Sequence, residues 1–330
     1  MIEQIGKNEI TIGPGPFGTM LNDRAAHSNG ALPSDLADPV RVLHEGPYAH
    51  ETEQVAVAYL QAGAQVITTN TFGLRRVVGD ADLFHRGLEA HLAIARRALS
   101  ASGLSDKSPK LVSVGPPSDG LIDGGDVDCY AVDDLDGEER GLDLYLKQLE
   151  PLARLEGRPG KGFEPTAVAM VETIGTTTKL RAAVRALAQL GLEGFVNLTL
   201  VDGRLLDGDD PIAAIREIES KINGHRARIR YGVNCCDHDS AGEFFRNVTE
   251  EEFGGRVNFI ALNGANGDPR QFNGCSEHGE VVFDHQRPHQ IRELIQNHPG
   301  IRVVLGCCGF SPKKMASVAN SLAGLPKLRR

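Results

Sequence analysis

Cys235 closes the run Arg230-Tyr231-Gly232-Val233-Asn234, and Cys307-Cys308 stand between Gly306 and Gly309 after the apolar stretch Ile301 to Leu305. Soft sulfur donors at the tips of two apolar runs suit zinc, whose catalytic sites keep three protein ligands and an open fourth position. Three cysteines would leave that position free. The same residues also fit a vicinal-thiol redox couple, or small buried side chains, since cysteine is among the most often buried residue types. Gly306 and Gly309 suit the metal site, because glycine accepts the backbone conformations needed to aim two consecutive side chains at one point. Cys129, Cys236 and Cys275 have weaker claims. Cys236 is expected to face away from Cys235 if strand geometry continues.

The elements that must position these residues alternate in type. Candidate strands are Glu9 to Ile12, Gln65 to Thr69, Leu111 to Val114, Ala167 to Val171, Gly194 to Leu200, Ile229 to Val233, Val257 to Leu262 and Val303 to Leu305. Helical patterns fall at Glu51 to Ala62, Leu83 to Ser102, Leu142 to Arg154, Thr178 to Leu190, Pro211 to Asn223, Ala241 to Glu252, Pro288 to Asn297 and Pro312 to Leu322. Short apolar strands separated by helices predict a parallel sheet, and eight such units predict a (β/α)8 TIM barrel; an open doubly wound sheet is the competing fold. In a barrel the C-terminal ends of the strands converge on one mouth, so Cys235 and Cys307-Cys308 approach each other despite their separation in sequence. One domain spanning residues 1–330 is expected. Its long Gly-, Pro- and Asp-rich stretches near 13–50 and 116–141 read as loops over the mouth.

Hydrophobic residues make up 41% and charged residues 24% of the chain, as in an ordinary globular protein. The net charge of -9 disfavours nonspecific contact with nucleic acid or anionic membrane. No apolar stretch reaches the roughly 20 residues needed to span a bilayer. Six cysteines are too sparse for a disulfide scaffold, and a cytoplasmic enzyme is the expectation. His44, His50, His238, His285 and His289 form no compact metal-binding spacing and read as loop or surface residues. Asp237 and Asp239 read as solvated acids. Thr69, Asn70 and Thr71 read as helix-capping and turn residues, with lining of the mouth as their alternative.

The segments YLQAGAQVITTNTF (59 to 72), SVGP (113 to 116), VET (171 to 173), GVNCC (232 to 236) and GCCGF (306 to 310) resemble the zinc-dependent homocysteine S-methyltransferases. That group includes the betaine- and S-methylmethionine-homocysteine methyltransferases. The resemblance implies a (β/α)8 barrel, Cys235, Cys307 and Cys308 as zinc ligands, and Glu172 as the acid that holds the amino acid substrate. Asn234 would belong to the same site. A small-molecule thiol and a methyl donor are the implied partners, and methionine formation from homocysteine is the implied reaction.

Two departures concern the substrate. Where the family has Leu-Asp-Gly-Gly and then Thr-Glu-Leu, this chain reads ITIGPGPFGTML, with Pro14 in place of the aspartate and Met20 in place of the glutamate. Asn197 stands where serine is usual, and the chain has no tryptophan, which disfavours an aromatic cage for a quaternary amine. Another thiol or methylated donor, or a non-catalytic zinc-containing binding protein, are the alternatives these departures raise. Apolar faces on the outer helices fit a buried loop or a partner chain equally well.

Overall fold

The computed structural model describes residues 5–6, 9–43, 46–105, 108–116, 137–156, 167–222, 228–248, 253, 255–270 and 283–325. Cys129, Cys275, His44 and most of the 116–141 stretch lie outside them. Eight strands form one sheet of parallel neighbours: β1 (Thr11–Ile12), β2 (Ile67–Thr68), β3 (Lys110–Val114), β4 (Ala167–Ile174), β5 (Gly194–Leu198), β8 (Ile229–Asn234), β9 (Val257–Leu262) and β10 (Val303–Gly306). Their spatial order is β1-β10-β9-β8-β5-β4-β3-β2. A short antiparallel hairpin, β6 (Leu200–Val201) and β7 (Arg204–Leu205), interrupts the alternation after β5. The sheet curls so that its outermost strands meet through Gln65, whose N–H donates to the Ile12 carbonyl at 2.7 Å. The Gln65 side chain in turn accepts from the Ile12 N–H at 2.9 Å.

Period-two alternation sorts side chains into two cores. On β4, Val168 and Met170 join Leu111, Phe195, Phe259 and Leu305 in an inner cluster, while Ala167, Ala169 and Val171 join the outer core under the helices. Those helices are α1 (Phe17–Ala26), α2 (Pro47–Gln61), α3 (Ala81–Ala101), α4 (Glu138–Glu156), α5 (Thr177–Leu190), α6 (Pro211–Lys221), α7 (His238–Asn247), α8 (Arg287–Asn297) and α9 (Pro312–Leu322). Their starts follow local chemistry. Asp80, Thr176, Asp210, Asp237 and Ser311 each accept a backbone N–H from the first turn, and Pro211 and Pro312 occupy positions where no N–H is needed. Asp237 is therefore a helix cap rather than a merely solvated acid.

Two elements depart from the sequence pattern. The stretch 13–50 is not all loop: α1 lies inside it, with only Phe17 and Leu21 buried, too few apolar contacts to stand out beside the flanking glycines and prolines. The β5 pattern ends at Leu198, because Asp202 and Gly203 both adopt positive φ (49° and 69°) and turn the chain back as the β6-β7 hairpin. An Asp-Gly pair is the sequence signal for such a turn.

Two register shifts shape the sheet. Between β4 and β5, Val171 pairs with Val196 but Ile174 pairs with Leu198, which leaves one extra residue on β4 at Glu172-Thr173. Between β8 and β9, Gly232 faces Phe259, and a Cβ at residue 232 would run into the Phe259 backbone carbonyl. Gly232→Ala should therefore destabilise the protein by about 3 kcal/mol. Urea denaturation that finds wild-type stability in this variant would show the tight strand contact to be dispensable.

Candidate functional site

Cys235, Cys307 and Cys308 come together at the C-terminal end of the sheet, with their Sγ atoms all within 4.8 Å of one another. Among the described residues no histidine or carboxylate joins the group. Strand alternation alone would send Cys235 outward after Tyr231 and Val233. Instead its backbone takes φ 51°, in the left-handed region, which turns its side chain into the inner cluster and leaves Cys236 to the outer core. Its N–H is held by the Ala261 carbonyl at 3.0 Å. Burial pushes the Cys236 thiol far above its ordinary range, so the neighbouring cysteine is inert.

Cys307 donates its N–H to Leu262 at 2.9 Å, and the Cys308 carbonyl accepts from Gly264 at 2.7 Å. Gly306 is sterically required: a Cβ there would lie 2.5 Å from the Phe310 Cβ and 2.8 Å from the Met315 sulfur. Gly309, at φ 88°, makes the turn after the pair. The Cys235 and Cys307 sulfurs are in direct contact, their Cα atoms 5.6 Å apart. A tetrahedral ion with Zn–S bonds of about 2.3 Å sets its sulfurs roughly 3.8 Å apart. The donor set, as three thiolates, fits a single soft cation.

The cysteines line a cavity of about 1050 Å³ together with Glu172, Arg75, Thr69 and Asn70. Glu172 follows Val168 and Met170 on the inward face of β4 and so lines this space, and the extra residue of β4 lies immediately beside it. Glu172 is thus a strand residue, and Thr176 caps the following helix instead. Removal from bulk water pushes the Glu172 carboxyl up to about 7, opposed by the Ser113 hydroxyl that donates to it and by the Arg75 guanidinium. Asn234 lines no part of the cavity. It reaches across β5 to accept the Thr173 N–H at 2.8 Å and donates to the Thr173 hydroxyl at 3.2 Å, while its own carbonyl accepts from Thr199 at 3.0 Å.

Thr71 stands at the N-cap of the 3-10 turn Phe72–Val77, where its carbonyl accepts from the Leu74 N–H at 2.9 Å, but its side chain does not cap that turn. Thr71 donates to the Ser113 carbonyl at 2.6 Å, and Thr69 accepts the Ser113 N–H at 3.2 Å, so they carry the β2-β3 pairing beyond the strand ends. Asp237 and His238 open α7, where the His238 ring contacts Asp239 at 3.2 Å. His50 lies within α2 and His289 within α8.

A sequence profile described as homocysteine S-methyltransferase matches residues 11–322. The chain belongs to the homocysteine S-methyltransferase family. Membership makes it an enzyme of the methyltransferase class. Its fold is similar to that of the Escherichia coli homocysteine methyltransferase MmuM in its metallated form, at 18% identity and a TM-score of 0.66, with 95% of this chain and 96% of that one covered. The oxidised form of MmuM is similar at 19% identity and a TM-score of 0.66, again over 95% and 96% of the two chains. Among the described residues no helix is long and apolar enough to cross a membrane.

Set against the homocysteine S-methyltransferase pattern, Pro14 lines the cavity where the aspartate is expected, whereas Met20 packs on the outer core. Only the first departure alters the cavity wall. Ser113 and Arg75 are site residues that sequence reasoning did not single out, although Ser113 sits in the SVGP segment.

The raised Glu172 pKa sets a sign for pH dependence. The folded state holds this proton up to about 7, from a usual value of 4.5, so its ionisation costs folded stability as pH rises between the two. Glu172→Gln cannot ionise. Its stability relative to wild type should rise by about 1–3 kcal/mol between pH 4.5 and pH 8. Chemical denaturation at several pH values reads this, and a relative loss over the same interval would mean that Glu172 is held as a stabilised carboxylate.

Proposed function

We propose that this protein transfers a methyl group to the sulfur of a thiol, with homocysteine as the acceptor and methionine as the product. The convergence of the Cys235, Cys307 and Cys308 sulfurs on one cavity wall carries this reading. On it, the sheet closes through Gln65 into a (β/α)8 barrel that forms a single domain, and the three cysteines hold zinc. Bound zinc supplies an open coordination position and lowers the pKa of an acceptor thiol from about 8.5, which keeps the sulfur nucleophilic at neutral pH.

The chain's own residues then bind and orient. Glu172 accepts a charge-assisted hydrogen bond from the substrate ammonium, and Ser113 fixes the carboxyl that does so. Asn234 positions rather than reacts: it holds Thr173 and the end of β8, and so the two backbones that present Glu172 and Cys235. The acceptor sulfur forms the new carbon–sulfur bond as the donor's leaving heteroatom takes the electron pair of the old one. No protein base is needed for that step. Thiolate ligands call for a reducing compartment, in keeping with a cytoplasmic enzyme.

Pro14 is the observation that favours a second reading, in which the same centre serves a thiol other than homocysteine. Metal analysis of reduced wild type should find about one zinc per chain. Cys235→Ser, Cys307→Ser and Cys308→Ser should each lose or greatly weaken it, and full retention in all three would falsify the site. Methyl transfer should be detectable when homocysteine is paired with S-methylmethionine, S-adenosylmethionine, betaine and smaller methylated amines in turn. Turnover only with a different thiol would select the second reading, and none with any pairing would sink both.

A further inference from the structure

Both cysteine segments are registered on one short stretch of backbone. The carbonyls of Ala261 and Leu262, the last two residues of β9, accept the Cys235 and Cys307 N–H groups at 3.0 Å and 2.9 Å. Immediately beyond them the Asn263 N–H donates to the Cys236 carbonyl at 2.9 Å, and the Gly264 N–H to the Cys308 carbonyl at 2.7 Å. Consecutive residues thus hold the ends of β8 and β10 by turns, and a shift of this tail moves the three sulfurs relative to one another.

The tail is anchored by Arg287, 0% exposed in the first turn of α8. Its Nη2 donates to Asn266 Oδ1 at 2.6 Å, and its backbone N–H donates to the Asp284 carbonyl at 3.0 Å. The Asp284 N–H in turn donates to the Gly264 carbonyl at 2.7 Å, so residues 264–266 are clasped at both ends. Nε and Nη1 have no hydrogen-bond partner among the described residues, and neither has Asn263 Oδ1. Burial draws the guanidinium pKa down, opposed by the charges of Asp284 and Asp237. A buried cation with two idle donors is a poor source of stability, and an apolar side chain of similar volume is often the more stable choice. What the guanidinium supplies is direction, since a planar fork holds its acceptor in one orientation.

We propose that Arg287 is a positioning residue of the metal centre, acting through Asn266 and Gly264 on Cys308. The inference rests on the reading of the three cysteines as a zinc site. Cys308 lies beyond Gly306, the last residue of β10, where the Gly264 N–H takes over from the strand ladder. Groups that hold metal ligands in place typically account for about ten- to a hundred-fold in metal affinity.

Reduced full-length protein would be titrated with zinc against a competing chelator, and separately with cobalt(II), whose sulfur-to-metal charge-transfer absorption grows with the number of thiolate ligands. Arg287→Met and Asn266→Ala should each weaken zinc binding by about ten-fold or more and lower that absorption per bound cobalt. The double variant should fall within about two-fold of Arg287→Met, because both changes cut the same link. Leu149→Ala, in the outer core under α4, is the control for lost stability: its melting temperature should drop while zinc affinity stays within about two-fold of wild type.

Asn266 is exposed, so its truncation opens no core and carries the test if Arg287→Met does not fold. Unchanged affinity and absorption in the folded variants, additive losses in the double variant, or an equal loss in Leu149→Ala each overturn the proposal. Wild type that binds cobalt without charge-transfer absorption would instead refute the zinc reading itself, and this proposal with it.

Discussion

The hydrogen bond from the Thr173 N–H to the Asn234 side chain is the contact on which the site's geometry depends. An extra residue on β4 takes that N–H off the ladder, and a buried donor left unsatisfied costs about 1–3 kcal/mol. Asn234 meets this demand from two strands away, and its own carbonyl is tied to Thr199. Thr173 and Cys235 both adopt left-handed backbone, at φ 63° and 51°, which costs an L-residue roughly 1–2 kcal/mol each. The Cys235 conformation turns its side chain to the cavity, and that of Thr173 turns the chain just after Glu172. Strain and hydrogen bonding are thus coupled in one small buried unit, and the geometry of the cavity wall follows from it.

Charge in the cavity is arranged by what surrounds each group. Glu172 is drawn toward neutrality by loss of water, while a serine hydroxyl and an arginine pull the other way. A carboxyl poised in this manner changes state readily when a cation approaches, so cation binding and ionisation would reinforce each other. The sulfurs are different in kind. Their proximity draws on β8 and the turn after β10, brought side by side by β9, and on the small volume of Gly306.

Much of this was legible in the residues. Alternating apolar runs marked all eight sheet strands, because buried parallel strands cannot hide their composition, and Val257–Leu262 agrees at both ends. Glycine-framed cysteines marked the sulfur cluster for a similar reason: close packing and a positive φ both leave a glycine in the sequence. The bulge at Glu172-Thr173 left no such trace, since its extra residue is satisfied by an asparagine sixty-one positions away. For the same reason Asn234 read as a member of the site rather than its support. Arg75 was illegible because an arginine in a Gly- and Arg-containing turn looks solvated, and only its stacking on Phe72 shows otherwise. Helix α1 was masked by the prolines and glycines that bound it.

Cys235 and Cys236 are chemically the same side chain, one peptide bond apart, yet a single backbone rotation assigns one to the cavity and the other to the outer core. The pair makes the chain its own reporter. In reduced protein an alkylating reagent can reach the first from the cavity, while the second stays closed to it until β8 separates from the helices that cover it. The ratio of labels on two neighbouring residues would then distinguish a protein that has merely lost its ligand from one that has lost its fold.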